Sequence, residues 1–260
     1  MRLMTYNILE GGVGRIDPLA EVIRLAGAEV VVLQETWDAA NFHKLADRLG
    51  MDRFLADNPK NPKGATGLLT RLPLREAVNH APLDSRLTRS AFHALVEIEP
   101  GRKIPIVGLH LHARETMEDE RIRLSELPAI FDIAAGLPRP HMMAGDFNTS
   151  HPEQQIDLAK LRPKSRERIR GQGDQLPREV IGQVLARGYV DAHAIHHAPV
   201  EGDGKKAFDT SFTTAHPAMR VDFIFVTPEL AGRVESCEVF KPEMARFASD
   251  HYPVLAEIAV

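Results

Sequence analysis

The sequence predicts an α/β sandwich in which two mixed β-sheets pack face to face and helices cover the outside. Three observations carry that reading. Several strand-length runs are apolar at every position, as strands buried on both faces must be. Helical and strand periodicities are mixed from one end of the chain to the other, and Pro, Gly, Asn and Asp turn chemistry in the middle calls for antiparallel neighbours.

In order, Leu3 to Ile8 is a β-rich run, and Asp17-Pro18 then opens an apolar-periodic stretch through Ala26, as an N-cap followed by proline at N1 would. Glu29 to Leu33 (EVVVL) is a strand, and Phe42, Leu45, Ala46 and Leu49 give helical spacing to Ala39 to Leu49. The short runs Thr66 to Thr70, Ala91 to Ile98 and Lys103 to Leu111 form the antiparallel middle. A helix over Thr116 to Ala135 precedes a strand over His141 to Ala144. A second helix, Arg178 to Ala186, leads to strands near Arg220 to Val226, Val234 to Phe240 and Pro253 to Val260. Lys160 to Arg178 (KLRPKSRERIRGQGDQLPR) is basic and poor in apolar residues, which predicts an exposed insertion.

The 260 residues, 43% hydrophobic and 26% charged, suit one domain over 1–260 with a sizeable core. A formal net charge of -4 excludes a whole-protein field that gathers nucleic acid or anionic membrane, so any polyanion must be held locally. The single cysteine, Cys237, excludes an internal disulfide framework and favours a reducing compartment, the cytoplasm. MRLMTYNILEGG reads as a strand rather than a signal peptide, and no run approaches the roughly 18 apolar residues of a spanning helix, so no integral membrane segment is expected. No obligate protein partner is evident.

Polar residues collect at strand ends. Asn7, Glu35, His110 and Asp146 with Asn148 follow apolar runs, whereas Asp222, Asp250 and His251 lie at strand starts. If the two groups pair in antiparallel fashion, all eight side chains gather on one rim. On the strand through Lys103 to Leu111, period two puts Ile104, Ile106, Gly108, His110 and His112 on one face. Each signal has a plain structural reading: buried histidines are commonly neutral and structural, Glu35 can pair with an arginine, and GDFN and SDH are also turn and cap chemistry. A carboxylate directly after VVVLQ is nonetheless costly to bury unless it is paired or holds a cation.

Taken together, TYNIL, QET, GLHLH, GDFN, RVDFIFV and SDHYPV resemble the endonuclease/exonuclease/phosphatase superfamily from Asn7 to Val254. The resemblance implies a four-layer α/β sandwich and a divalent-metal-dependent hydrolase of phosphate esters. Glu35 would be the principal ligand of Mg²⁺ or Mn²⁺, with Asn7 and Asp250 close by as direct or water-bridged ligands. Asp146 would activate the attacking water, Asn148 would bind a phosphate oxygen, and His251, aligned by Asp222, would donate to another as imidazolium. His110 would stabilise the phosphate or the departing oxygen, although the sequence offers it no convincing acidic partner. Arg89 stands where relatives carry an Arg-rich strand, so it is either a phosphate contact or a solvated strand-edge arginine. His112 is expected in a supporting structural role.

The leading function is a nuclease or other phosphodiesterase acting on a phosphate-ester substrate, nucleic acid among the candidates. The alternative is a phosphatase or phospholipase C-like enzyme acting on a small phosphorylated metabolite or lipid headgroup. A catalytically inactive binding domain ranks lower because no core residue is missing. A zinc hydrolase suggested by His110-Leu111-His112 also ranks low, since oxygen donors dominate. The segment Lys160 to Arg178 sets seven basic residues against Glu167 and Asp174, a local net charge of +5, and reads either as a phosphate-backbone clamp or as a solvated loop.

Overall fold

Two six-stranded sheets lie against each other in the computed structural model, which describes residues 1–196 and 208–260. The first contains β1 (Arg2–Asn7), β2 (Val30–Gln34), β3 (Asp52–Ala56), β4 (Thr66–Thr70), β11 (Val234–Val239) and β12 (Val254–Ile258), in the order β11-β12-β1-β2-β4-β3. The second contains β5 (Leu74–Asn79), β6 (Ala91–Glu99), β7 (Arg102–His110), β8 (Met142–Asp146), β9 (Val190–Asp191) and β10 (Asp222–Val226), in the order β5-β6-β7-β8-β10-β9. Each sheet has one parallel pair, β1 with β2 and β7 with β8, and each pair is joined by an outer helix. These are α1 (Ile16–Ala26) and α3 (Met117–Ala135). All other strand neighbours are antiparallel, so both sheets are mixed.

Alternation along the central strands separates two cores. Ile104 and Ile106 of β7, Met142 and Ala144 of β8, and Ile224 and Val226 of β10 join the first sheet in one buried cluster between the sheets. Their neighbours Val107, Leu109, Met143, Phe223 and Phe225 face the other way, against Leu127 and Ile130 of α3 and Val180 and Ile181 of α5 (Glu179–Ala186). The Phe147, Phe223 and Phe225 rings pack there at 5.2 to 5.6 Å between centroids, worth ~0.5–1.5 kcal/mol per aromatic pair beyond burial. On the first sheet, Phe42 of α2 (Ala39–Leu49) covers Gly67 so closely that a Cβ there would meet its ring at 2.5 Å. The result is the helix, sheet, sheet, helix stack expected from the sequence.

The elements differ from the sequence reading in three ways. Helix α1 starts at Ile16, so Asp17 and Pro18 lie inside its first turn and the N-cap is Arg15, with no side-chain cap bond. Arg15 instead turns its guanidinium under the chain to donate to the Ile8 carbonyl at 3.1 Å, the Ala248 carbonyl at 2.7 Å and the Leu9 carbonyl, which fixes how the helix begins. Strands β3 and β5 carry no clear apolar signal because both are edge strands with half-exposed, charged sequences, DRFLA and LREAVN. Finally, Lys160 to Arg178 is not an exposed insertion. It contains α4 (Pro163–Gly171), whose Ser165 and Ile169 are buried with Leu161 against Met219 and Val221. Short helices α6 (Ala192–His196), α7 (Pro228–Ala231) and α8 (Ala245–Ala248) are the remaining described α-helices, and none of the described helices is long and apolar enough to cross a membrane.

Candidate active site

Parity that sorts the core also builds the site. His110, Asp146 and Asp222 continue the faces of Ile106, Ala144 and Ile224, so all three emerge from between the sheets at one rim. Asp222 and Asp146 stand opposite each other in the antiparallel β8/β10 register, and His110 lies beside Asp146 in the parallel β7/β8 register. The first sheet supplies Asn7 at the end of β1, Glu35 one residue past β2, and Asp250 with His251 before β12. Asn7 Nδ2 crosses the gap to donate to Asp146 Oδ2 at 3.1 Å. Ser249 Oγ donates to the Asn7 carbonyl at 2.6 Å, which locks the SDH turn onto β1. Seven of the eight sequence-derived residues line one cavity of about 150 Å³, and Asp222 lies behind it.

Backbone strain concentrates here. Among the described residues, six non-glycines have left-handed φ, and Leu9, Glu10, Glu35, Arg114 and Asn148 are five of them. Such conformations cost ~1–3 kcal/mol each and persist only when their surroundings over-determine them. At φ 62, Glu35 receives the Glu10 N–H on Oε2 at 2.7 Å and the Asn7 amide on Oε1 at 3.4 Å. At φ 52, Asn148 gives its N–H to Asp146 Oδ1 at 2.8 Å and one amide hydrogen to the Leu111 carbonyl at 3.1 Å, which orients the side chain into the cavity. A fully buried pair stands behind the loops: Arg123 Nε donates to Glu120 Oε2 at 2.7 Å, and its Nη1 holds the His112 and Arg114 carbonyls. Glu120 Oε1 accepts from Thr149 and from the Val180 N–H, which ties both strand-end loops to α5.

The charges are arranged in opposition. His251 Nδ1 is 2.9 Å from Asp222 Oδ2, its Nε2 is 3.9 Å from Asp146 Oδ2 and 4.0 Å from Asp250 Oδ1, and its ring rests on Phe212 at 4.6 Å. Burial opposes a charge on this ring, but Asp222, Asp146 and Asp250 outweigh it and raise its pKa to about 10, so it is an imidazolium at neutral pH. Burial and the facing Asp222 push Asp146 well above the usual carboxylate range, against the pull of His251, Asn7 and the Asn148 N–H. Burial and the Arg89 guanidinium hold His110 neutral.

His110 therefore differs from its sequence reading. It does have an acidic neighbour, Asp146 Oδ2 at 3.5 Å, which a sequence in which the two lie 36 positions apart does not reveal. Arg89 Nη1 sits 2.9 and 3.0 Å from its two ring nitrogens, so half-buried Arg89 is tied to the site through His110. His112 turns away to Asp119 in the first turn of α3 at 3.1 Å, in the supporting role expected of it, and does not converge with His110.

Asp146, Asp222 and His251 offer donor atoms within 4.8 Å of one another, the geometry of a metal-binding group. However, Asp222 and His251 already satisfy each other, and an imidazolium repels a cation. The outer carboxylates Glu35 and Asp250, with Asn7 between the two sheets, suit a hard divalent ion better. Buried Asp250 Oδ1 has no hydrogen-bond partner, and such an oxygen at the cavity wall fits a site completed by a cation.

Sequence reasoning missed the opposite wall. Ala113, Arg114, Glu115, Arg162, Phe212, Met219 and Val221 line the same cavity. Arg162 was legible only as one of seven cations in a basic run, and nothing in the sequence singles out Phe212.

The model of the Endonuclease/Exonuclease/phosphatase family matches residues 4–251. Among solved structures, an AP endonuclease from Archaeoglobus fulgidus covers the whole of both chains at 18% identity and TM-score 0.70. The 3' phosphatase NExo (D146N) from Neisseria bound to product DNA hairpin does so at 16% identity and TM-score 0.68. The human Nocturnin catalytic domain with bound sulfate anion matches at 21% identity and TM-score 0.68, covering 100% of this chain and 93% of that one. At these identities the likeness shows the fold. A search of curated proteins found no match.

Proposed function

Because the chain belongs to the Endonuclease/Exonuclease/phosphatase family, we propose that it is one domain over residues 1–260 that hydrolyses phosphodiesters, most naturally those of nucleic acid, with Mg²⁺ or Mn²⁺. The observation that carries the reading is one buried arrangement: Asp146, proton-hungry through burial, faces an imidazolium 3.9 Å away that Asp222 holds in line. Base and cationic donor thus stand side by side and open onto one cavity, where one can take a proton from water while the other donates to a phosphate oxygen.

In this reading Glu35, Asp250 and Asn7 would hold the divalent ion, whose charge would offset that of the phosphate. Asp146 takes a proton from the attacking water as the water oxygen bonds to phosphorus and the bond from phosphorus to the departing oxygen breaks. His251 Nε2 and the second amide hydrogen of Asn148 donate to the non-bridging oxygens as their charge grows. Asp222 keeps the imidazolium tautomer and orientation, as a carboxylate behind a catalytic histidine does. His110, neutral and pressed by Arg89, has one ring N–H to offer the phosphate or the departing oxygen. Water attacks directly, so no serine or cysteine nucleophile is needed; Cys237, the one cysteine, is buried away from the cavity, and a sequence that offers no internal disulfide suits a cytoplasmic location.

A small-substrate phosphatase or phospholipase C-like enzyme is the second reading, and the cavity of about 150 Å³, below the ~300 Å³ at which ligand pockets usually begin, is what favours it. A panel of plasmid DNA, abasic duplex, RNA, sphingomyelin, inositol phosphates and nucleotides, each with Mg²⁺ and with Mn²⁺, decides between them. Cleavage of the polynucleotides supports the first reading. Turnover confined to the monoesters or lipid replaces it with the second, and inactivity on every member of the panel leaves a binding domain.

A further inference from the structure

The acidic side of the cavity is occupied with cation, water and scissile phosphate. Its far wall carries two arginines that the proposed hydrolysis leaves unused. Arg162, at the start of α4, lies with its guanidinium 4.9 Å from the centre of the Phe212 ring, and that ring lies 4.6 Å from His251. Its Nε donates to Ser165 Oγ at 2.9 Å, which fixes the base of the side chain to the helix. Arg114 follows β7 at φ 81, with its carbonyl gripped by Arg123. Both line the cavity, and neither has a carboxylate partner among the described residues.

The remaining cations of the basic run are otherwise engaged or turned outward. Arg168 is paired with Glu115 at 3.2 Å, Arg166 reaches the Ala159 carbonyl, and Arg170 is exposed. The Arg168–Glu115 pair, with Gln172 bonded to the Glu115 carbonyl and the Met117 N–H, clamps α4 onto the loop after β7. The helix is therefore a fixed wall of the cavity, and its stacked arginine is held in place before any ligand arrives.

A guanidinium on an aromatic face, without a carboxylate, is suited to bidentate capture of phosphate. We infer that Arg162 and Arg114 form a second phosphate subsite, so that the preferred substrate carries another phosphate about one linkage from the scissile one. The inference rests on the phosphodiesterase reading for the place of the scissile group. His251 marks that group, and the Arg162 guanidinium, which shares the Phe212 ring with it, is placed to meet the next phosphate of a nucleic-acid strand. A small metabolite with two phosphates on one ring presents the same chemistry.

The test compares wild type with Arg162→Gln and Arg162→Lys on the dinucleotide pTpT, on TpT without the terminal phosphate, on bis-p-nitrophenyl phosphate and on inositol 1,4-bisphosphate. We expect Arg162→Gln to lower kcat/KM for pTpT by about 10- to 100-fold, the worth of hydrogen bonds to a charged group. Arg162→Lys should recover part of the loss, and bis-p-nitrophenyl phosphate should change by less than about twofold. Wild type that cleaves TpT as well as pTpT, or a variant that loses equally on every substrate with an intact melt, overturns the subsite. A stronger Arg162 effect on inositol 1,4-bisphosphate than on pTpT retains the subsite but overturns the strand as its source.

Binding provides a second readout that does not depend on turnover. In an Asp146→Asn background with Mg²⁺, fluorescein-labelled octathymidylate should bind more weakly when Arg162 is glutamine, and the slope of log Kd against log salt should fall by about one. If wild type hydrolyses no phosphodiester, the hydrolytic reading fails, and this titration alone decides the subsite. An unchanged slope and affinity would refute it.

Discussion

Replacing Asp222 by Asn keeps an acceptor for His251 Nδ1 but removes the charge that faces it at 2.9 Å. Both partners are buried, at 0% and 5% exposure, so solvent screens little of the loss. The ring stands near pKa 10, above its ordinary 6.5, only because carboxylates outweigh burial. An opposite charge in contact is worth ~1–3 pK units, equivalent to about 1.4–4 kcal/mol. Hydrolysis needs His251 protonated and Asp146 ionised. Wild-type rate should therefore rise through the elevated Asp146 pKa and fall again as pH passes the His251 pKa. In the variant the alkaline limb should move down by about 1–3 units, and at pH 9 the imidazolium fraction should drop by about two- to a hundred-fold. The acid limb should move down as well, because Asp222 is one of the charges that raises Asp146. A bound cation shifts both limbs in both enzymes, so the quantity to compare is variant against wild type, in kcat/KM over pH 5 to 11. An alkaline limb that stays in place while the rate falls uniformly would refute the argument. So would losses that add fully in the Asp222→Asn, His251→Ala double variant, since a residue acting through His251 has nothing left to do once the ring is gone.

Other expectations follow from the same geometry. Exhaustive EDTA treatment should abolish phosphodiester turnover and added Mg²⁺ or Mn²⁺ should restore it; full activity without metal would discard the mechanism. Glu35→Gln should weaken metal binding, read by titration calorimetry, while leaving a cooperative melt, whereas collapse of the melt would make Glu35 structural. Asp146→Asn should reduce kcat by about 10²–10⁴ in single-turnover assays with folding intact, and a smaller loss would assign the base elsewhere. Gly108→Ala would place a Cβ 2.2 Å from the Phe92 ring in the adjacent strand, so the melting midpoint should fall by the equivalent of about 1–3 kcal/mol; an unchanged midpoint would show that β6 yields easily.

How far the molecule could be read from its sequence depended on burial. Fully apolar runs such as VVVL announce central strands because no solvent face dilutes the pattern, and the polar residues that end them then stand out. Hence Asn7, Glu35, His110, Asp146, Asn148, Asp222, Asp250 and His251 could be named before any coordinates, and the fold brings them together. Edge strands β3 and β5 escaped because half of each meets water. The Asp146 contact of His110 escaped because register between distant strands, not local pattern, creates it. Basic α4 looked like a loop because Leu161, Ser165 and Ile169 bury only one narrow side, too little apolar spacing to register among seven cations. Phe212 acquires meaning only from the His251 ring and the Arg162 guanidinium packed against it.

The Asn7 bond to Asp146 spans the two sheets, and the cation ligands belong to one sheet while the base and its histidine carboxylate belong to the other. The reacting groups are thus mounted on separate jaws, and the gap between them is set by the thickness of the side-chain layer in between. Misplacement by ~1 Å can cost a hundredfold in rate, so turnover becomes a gauge of that layer. Thinning it at Val32 or Ile106, which touch no substrate, should alter kcat out of proportion to the stability lost, whereas an equally destabilising change beneath α3 should leave chemistry at its original pace.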